Sequence, residues 1–205
     1  MFCFTRDKKS EPASNGSRRG DDRISRMSIF TNSIESAGEQ AGDYIEAVLG
    51  LVGNSDPLEI LARLAPEVER RAAGLTEEQL RQPEAPGKWS MLEVIGHLVD
   101  SEVVWAYRVR TVVAEDRPTL KGYDQDLWVQ NLRYRGHRAP DLIADLGALR
   151  DCNLHFLHGL DSEERQRVGL HSERGEETVD HMLRLYAGHD LVHLAQLDRI
   201  RKAVE

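Results

Sequence analysis

From Asp43 onward, apolar residues recur at helical spacing. Tyr44, Ile45, Val48, Leu49 and Val52 make a first stripe, which Gly53-Asn54 ends. Asp56-Pro57-Leu58-Glu59 then offers a cap, a proline at the first helical position and an acid three residues after the cap. That helix should run through Leu61, Leu64 and Val68 towards Gly74, with a kink at Pro66. Thr76-Glu77-Glu78-Gln79 begins a short turn by the same capping logic. Ser90-Met91-Leu92-Glu93 opens a long helix to about Glu115, with Val94, Leu98, Trp105, Val109 and Val112 on one stripe. Residues 118–138 show no periodicity and read as an irregular connection carrying Tyr123, Asp124, Asp126, Trp128 and Tyr134. A further helix is predicted over 140–160, on Leu142, Leu146, Leu149, Phe156 and Leu160. After a polar turn around His171–Gly175, a last helix spans about Thr178 to Lys202.

No strand-like alternation interrupts this series, so the expected fold is all-α: a four-helix bundle with antiparallel or up-down-down-up topology. Residues 1–40, rich in Ser, Gly, Asn, Asp and Arg, read as a disordered tail before a single domain over 41–205, with Met27 an alternative start. Met1 to Arg26 carries charge without an apolar segment behind it, unlike a secretory signal. Beyond residue 40 the chain holds 20 Lys/Arg against 29 Asp/Glu, an acidic body that repels phosphate backbones and argues against nucleic acid. No apolar run approaches a membrane span. The two cysteines, Cys3 and Cys152, make no disulfide framework, so the expected location is the cytoplasm.

Chemistry concentrates on the last helix. At 100° per residue, Met182, Leu185, Tyr186, Val192, Leu197 and Ile200 share one arc, and His189, His193 and Gln196 fall within it. Two inward imidazoles one turn apart stand about 5–6 Å from each other at Cβ and can converge on one ion. Ordinary core histidines are the competing explanation. Each buried imidazole is penalised unless its nitrogens find partners, however, and a shared cation satisfies one nitrogen on each. His97, on the flank of the stripe of the long central helix, can supply a third nitrogen and leave a coordination position open.

Gly87-Lys88-Trp89-Ser90 followed by Glu93-Val94-Ile95-Gly96-His97-Leu98-Val99-Asp100-Ser101-Glu102 resembles the second helix of the DinB/YfiT-like superfamily. Tyr186-Ala187-Gly188-His189-Asp190-Leu191-Val192-His193-Leu194-Ala195-Gln196 is similar to its fourth, and the likeness covers about 55–202. The resemblance implies a four-helix bundle holding a metal through His97, His189 and His193. It also implies a metal-dependent hydrolase, or a thiol-dependent S-transferase using a low-molecular-weight thiol, acting on a small molecule. The ion would be divalent: zinc or nickel first, iron or manganese as alternatives. A non-catalytic, metal-stabilised bundle acting as a binding or stress-response protein is the competing function.

Several other residues have two roles open to them. Asn153, mid-stripe on the third long helix, is expected to meet substrate or support a ligand, since a buried amide needs a partner. Gln196, close to His193, is expected in a supporting role. Glu93 is read as a cap, Asp100 as ligand-orienting or solvated, and Leu191 as solvent-facing, a hint of a contact surface for the non-catalytic function; a homodimer is a separate expectation. His189-Asp190-Leu191-Val192-His193 also looks like a zincin motif with Asp for Glu. The shorter acid and the upstream position of His97 speak against that reading.

Overall fold

The computed structural model describes residues 37–205. The expected tail, residues 1–40, lies outside the described residues except for its last four, which open helix α1 (Ala37–Val52). The predicted helix from Asp56 is present but divided into α2 (Pro57–Ala62) and α3 (Leu64–Ala72). The break falls at Arg63, three residues before Pro66. Pro66 has no N–H to give Ala62, so the regular ladder cannot cross this point, and Arg63 N–H turns back to Ile60 O. Then follow α4 (Glu77–Arg81), α5 (Met91–Ala114), α6 (Gln125–Leu132), α7 (Ala139–His158), α8 (Ser162–Arg165) and α9 (Val179–Val204). Both predicted capping boxes are present: Thr76 with Gln79, and Ser90 with Glu93.

Four rods close a ring. α5 packs on α7, α7 on the bent α2–α3 pair, that pair on α9, and α9 back on α5. α1 is a fifth rod, laid along α9, and it comes very near: a Cβ on Gly188 would lie 2.6 Å from the Val48 carbonyl oxygen. With α1 on one side and the bundle on the other, α9 is buried nearly all round, including Leu183, Ala187 and Leu194. Leu191, read as solvent-facing, instead packs against the core cluster that α1 completes.

Two segments correct the sequence reading. A small sheet exists, with β1 (Thr119–Leu120) parallel to β2 (Val168–His171) and β2 antiparallel to β3 (Gly175–Thr178). Its buried positions are Leu120, Gly169, His171 and Glu177, a single apolar side chain among them, so no apolar alternation betrays it. The connection 118–138 also contains a helix, α6, capped by Asp124, whose side chain accepts the Leu127 N–H at 2.9 Å. Its one buried residue is Val129, while Leu127 and Leu132 are about half exposed, so it carries no stripe. The connection is pinned to α5 by Tyr134. Its ring occupies the space a side chain at position 96 would need, 2.1 Å from an added Cβ, and its hydroxyl donates to Asp100 Oδ1 at 2.6 Å. Asp100 is therefore buried and bonded, not solvated.

Between the four rods lies a charge cluster absent from the sequence reading. Arg150 on α7 is 2% exposed and reaches all three other rods. It bonds Glu102 on α5 through Nε at 2.5 Å, Asp190 on α9 through Nη1 at 2.8 Å, and the Leu61 carbonyl at the end of α2 at 2.6 Å. Its guanidinium also lies over the Tyr186 ring at 4.8 Å. Burial pulls the Arg150 pKa down, but Asp190, Tyr186 and Glu102 together more than reverse this, so it stays raised and charged. Arg150→Met should lower stability by about 3–5 kcal/mol in urea unfolding, because Glu102 and Asp190 are left as unpaired buried charges. Adding Glu102→Gln and Asp190→Asn to that variant should restore a large part of the loss.

His171 gives a second expectation. It is buried, its Nδ1 accepts the Glu173 N–H at 3.2 Å, and a second ring proton would destroy that bond. Burial, then the charges of Arg174 and Arg108, push its pKa from 6.5 to about 4, against a weaker pull from Glu177. The folded state thus binds the proton less readily than the unfolded chain. The stabilisation is complete above about pH 6.5 and is lost as pH falls through 4. Urea midpoints measured across that window should fall less steeply for His171→Asn than for wild type, a difference on the order of 2 kcal/mol.

Candidate metal centre

His97 comes from the second turn of α5, and His189 and His193 from successive turns of the middle of α9, the two rods that pack directly on each other. One ring nitrogen from each lies within 4.8 Å of the others. His97 Nε2 and His189 Nε2 are 3.1 Å apart, a spacing that suits two nitrogens each about 2.0–2.1 Å from one ion. The rings meet at centroid distances of 5.3 Å for His97–His189, 4.7 Å for His97–His193 and 4.4 Å for His189–His193.

Electrostatics keep His97 and His193 neutral. His97 is 1% exposed and His193 9%. Burial, then the neighbouring His193 and His189, holds His97 well below the usual histidine range. Burial and then His189 do the same to His193, partly opposed by its bond to Gln196. Neutral imidazoles present lone pairs, the form a cation needs. Gln196 Oε1 accepts from His193 Nδ1 at 2.8 Å, which places the His193 proton on Nδ1 and leaves Nε2 as the free lone pair. The Nδ1 atoms of His97 and His189 are buried with no hydrogen-bond partner, so the partners of these rings must be sought at Nε2, inside the cluster. Three converging ring nitrogens, with the outer nitrogens of two rings orphaned and that of the third held by Gln196, fit a divalent ion better than a self-satisfied histidine core.

The cluster has further neighbours. Ser101 Oγ lies 3.5 Å from His97 Nε2 and 3.3 Å from the Tyr123 hydroxyl, so two hydroxyls border the three rings. Trp89 packs on His97 at 5.0 Å and also lines a cavity of about 420 Å³ with Glu93, Asp126, Val129, Gln130 and Arg133. Asn153, expected near substrate or ligand, is occupied elsewhere. Its Nδ2 donates to Glu102 Oε2 at 2.8 Å and its Oδ1 accepts from Arg110 at 3.0 Å. It connects towards the histidines only through Glu102, Arg150 and Asp190, the residue after His189.

Ser101, the approach of Tyr123 to it and the Arg150 cluster were not picked out as functional from sequence, which offers Tyr123 only as a cover for a pocket mouth or a pin for its loop. Ser101 could have been, because it lies one turn from His97 on the same face. Tyr123 could not, since its approach depends on how the connection folds back.

Comparison with known proteins agrees with this geometry. A candidate metal-dependent hydrolase of Bacillus cereus (strain B4264) is 28% identical over 143 residues, covering 66% of this chain and 78% of that protein. One of Bacillus thuringiensis subsp. konkukian (strain 97-27) matches to the same extent. Among solved structures, YfiT from Bacillus subtilis, described as a candidate metal-dependent hydrolase with an unusual four-helix bundle topology, superposes with a TM-score of 0.67 at 22% identity. That likeness covers 71% of this chain and 84% of YfiT and establishes the fold. The DinB superfamily profile matches residues 60–197, a span holding all three histidines and both helices that carry them, and the chain belongs to that superfamily.

Proposed function

We propose that the chain is a metal-dependent hydrolase acting on a small molecule, with His97, His189 and His193 holding one divalent ion. The observation that carries this reading is the convergence of three ring nitrogens from α5 and α9 within 4.8 Å. When bound, such an ion supplies Lewis acidity, polarising a substrate oxygen and bringing a water or thiol towards ionisation near neutral pH. Gln196 holds the His193 ring in one tautomer and orientation, and Ser101 and Tyr123 offer hydroxyls where a substrate oxygen can be received. Hydrolysis is preferred to thiol transfer because the similar proteins carry hydrolase names. Assay of chromogenic esters and amides with and without a low-molecular-weight thiol separates the two.

Protein purified without chelator should carry about one divalent ion per chain by elemental analysis, with zinc or nickel expected ahead of iron or manganese. Absence of metal, together with no thermal shift on adding any of these ions, would sink the proposal. His193→Ala should lose the ion and the stabilisation that accompanies it, about 3–4 kcal/mol at saturation. Its helical circular dichroism should stay at the level of chelated wild type, because five amphipathic rods bury the core without the ion. An unfolded His193→Ala protein, even in excess metal, would instead make the cluster structural. Gln196→Ala should keep the fold and weaken metal binding about 10-fold to 100-fold.

A further inference from the structure

Arg108 sits on α5 three turns beyond His97 and two beyond Ser101, so the three side chains stand in a row along one face. Its residue is 6% exposed. Among the described residues its guanidinium bonds the Lys121 carbonyl, and no carboxylate comes within ion-pair distance of it. Of the two acids nearby, Glu177 gives both oxygens to Arg174, at 2.5 and 2.9 Å, while the Glu173 carboxylate lies beside Gly122 and supports Arg108 only from beyond ion-pair distance. Burial, and then the charge of Arg174, pushes Arg108 down to about 10, against weaker support from Tyr123, Glu177 and Glu173. Its remaining nitrogens are not among the sealed, unpartnered atoms of the interior, so the group keeps slight exposure.

A buried guanidinium without a counter-ion is expensive to keep unless something else uses it. The Lys121 carbonyl takes one of five donors, and a neutral side chain could pin the same carbonyl. What lies between Arg108 and the histidines is polar. Tyr123 is close enough that it and Arg108 shift each other's titration, its hydroxyl reaches Ser101 Oγ, and Ser101 reaches His97.

We infer that Arg108 receives a carboxylate on the substrate handled at the three histidines, with the Ser101 and Tyr123 hydroxyls lining the path between them. A planar guanidinium pairs with a carboxylate through two parallel hydrogen bonds, which gives orientation as well as attraction. The carboxylate would fix the far end of a linear small molecule and leave its reacting end at His97, His189 and His193. This inference rests on reading those histidines as a metal centre, and it deepens that reading by naming an anionic substrate class.

The test is calorimetric binding of two alkyl hydroxamate series to the zinc-loaded protein. One series ends in a carboxylate and the other in its methyl ester, at matched chain lengths. Wild type should bind the carboxylates at least about tenfold more tightly than the esters, with one chain length preferred. Arg108→Gln should abolish that preference, keep its zinc, and bind the esters within about twofold of wild type, while Arg108→Lys should retain part of the preference. Equal binding of the two series by wild type, or a preference that survives in Arg108→Gln, overturns the inference and leaves the metal centre standing. So does an equal collapse of ester binding in Arg108→Gln, which would make the residue merely a pin for the Lys121 carbonyl. Failure of wild type to load zinc, nickel, iron or manganese takes down both the metal centre and this inference, whereas a metal-loaded wild type that binds neither series overturns this inference alone.

Discussion

A guanidinium in the middle of a helical bundle must replace five hydrogen bonds to water or forfeit its solvation. Arg150 replaces them from every other rod of the four: a carboxylate on α5, a carboxylate on α9 and a main-chain carbonyl at the end of α2. The carbonyl lies beside the break that Pro66 imposes, so the interruption of one helix supplies an acceptor to another. Hydrophobic stripes bring amphipathic helices together but tolerate sliding, because one leucine can replace another along a ridge. A buried ion pair tolerates it far less, since each partner displaced by a turn leaves an unpaired charge behind. Arg150 therefore fixes the register of α5, α7 and α9, and with it the height of His97 relative to His189 and His193.

The same cluster separates two electrostatic regimes on one helix. Asp190 is spent on Arg150, with its second oxygen 3.7 Å from His189 Nδ1. One residue away, His97 and His193 have no carboxylate within ion-pair distance among the described residues, and His189 meets only that second Asp190 oxygen. Charge is satisfied on the inner side of α9 and left unsatisfied around the three rings, where an ion can provide it. Gln196 belongs to this division too, because an amide orients His193 without adding the negative charge that a carboxylate would bring.

The long helices and the three histidines were legible in the sequence because each rests on a repeating signal: stripes at helical spacing for α5, α7 and α9, and a one-turn interval for His189 and His193. Caps were legible for the same reason, since Ser90 and Glu93 find each other within one turn. The small sheet was hidden because its inward face is Leu120, Gly169, His171 and Glu177, which carry no hydrophobic period. α6 was hidden because it buries little besides Val129. Arg150, Glu102 and Asp190 were hidden for a different reason. Each looks like a surface residue on its own helix, and only the simultaneous approach of three helices turns them inward. Tyr123 reaches Ser101 by the path of a connection that no local rule specifies. Local periodicity thus revealed the three histidines and their helices, whereas the groups that position them depend on tertiary contacts.

Gly188 gives the first helix an influence that its place outside the superfamily match would not suggest. Where a side chain would stand, the main chain of Val48 stands instead, so α1 touches α9 backbone to backbone one residue before His189. A contact of that kind has almost no compliance. Leucine tips can rotate out of the way, but a carbonyl against a glycine Cα cannot. A displacement of α1 would therefore pass undamped, as through a rigid spacer, to the helix carrying two of the three imidazoles.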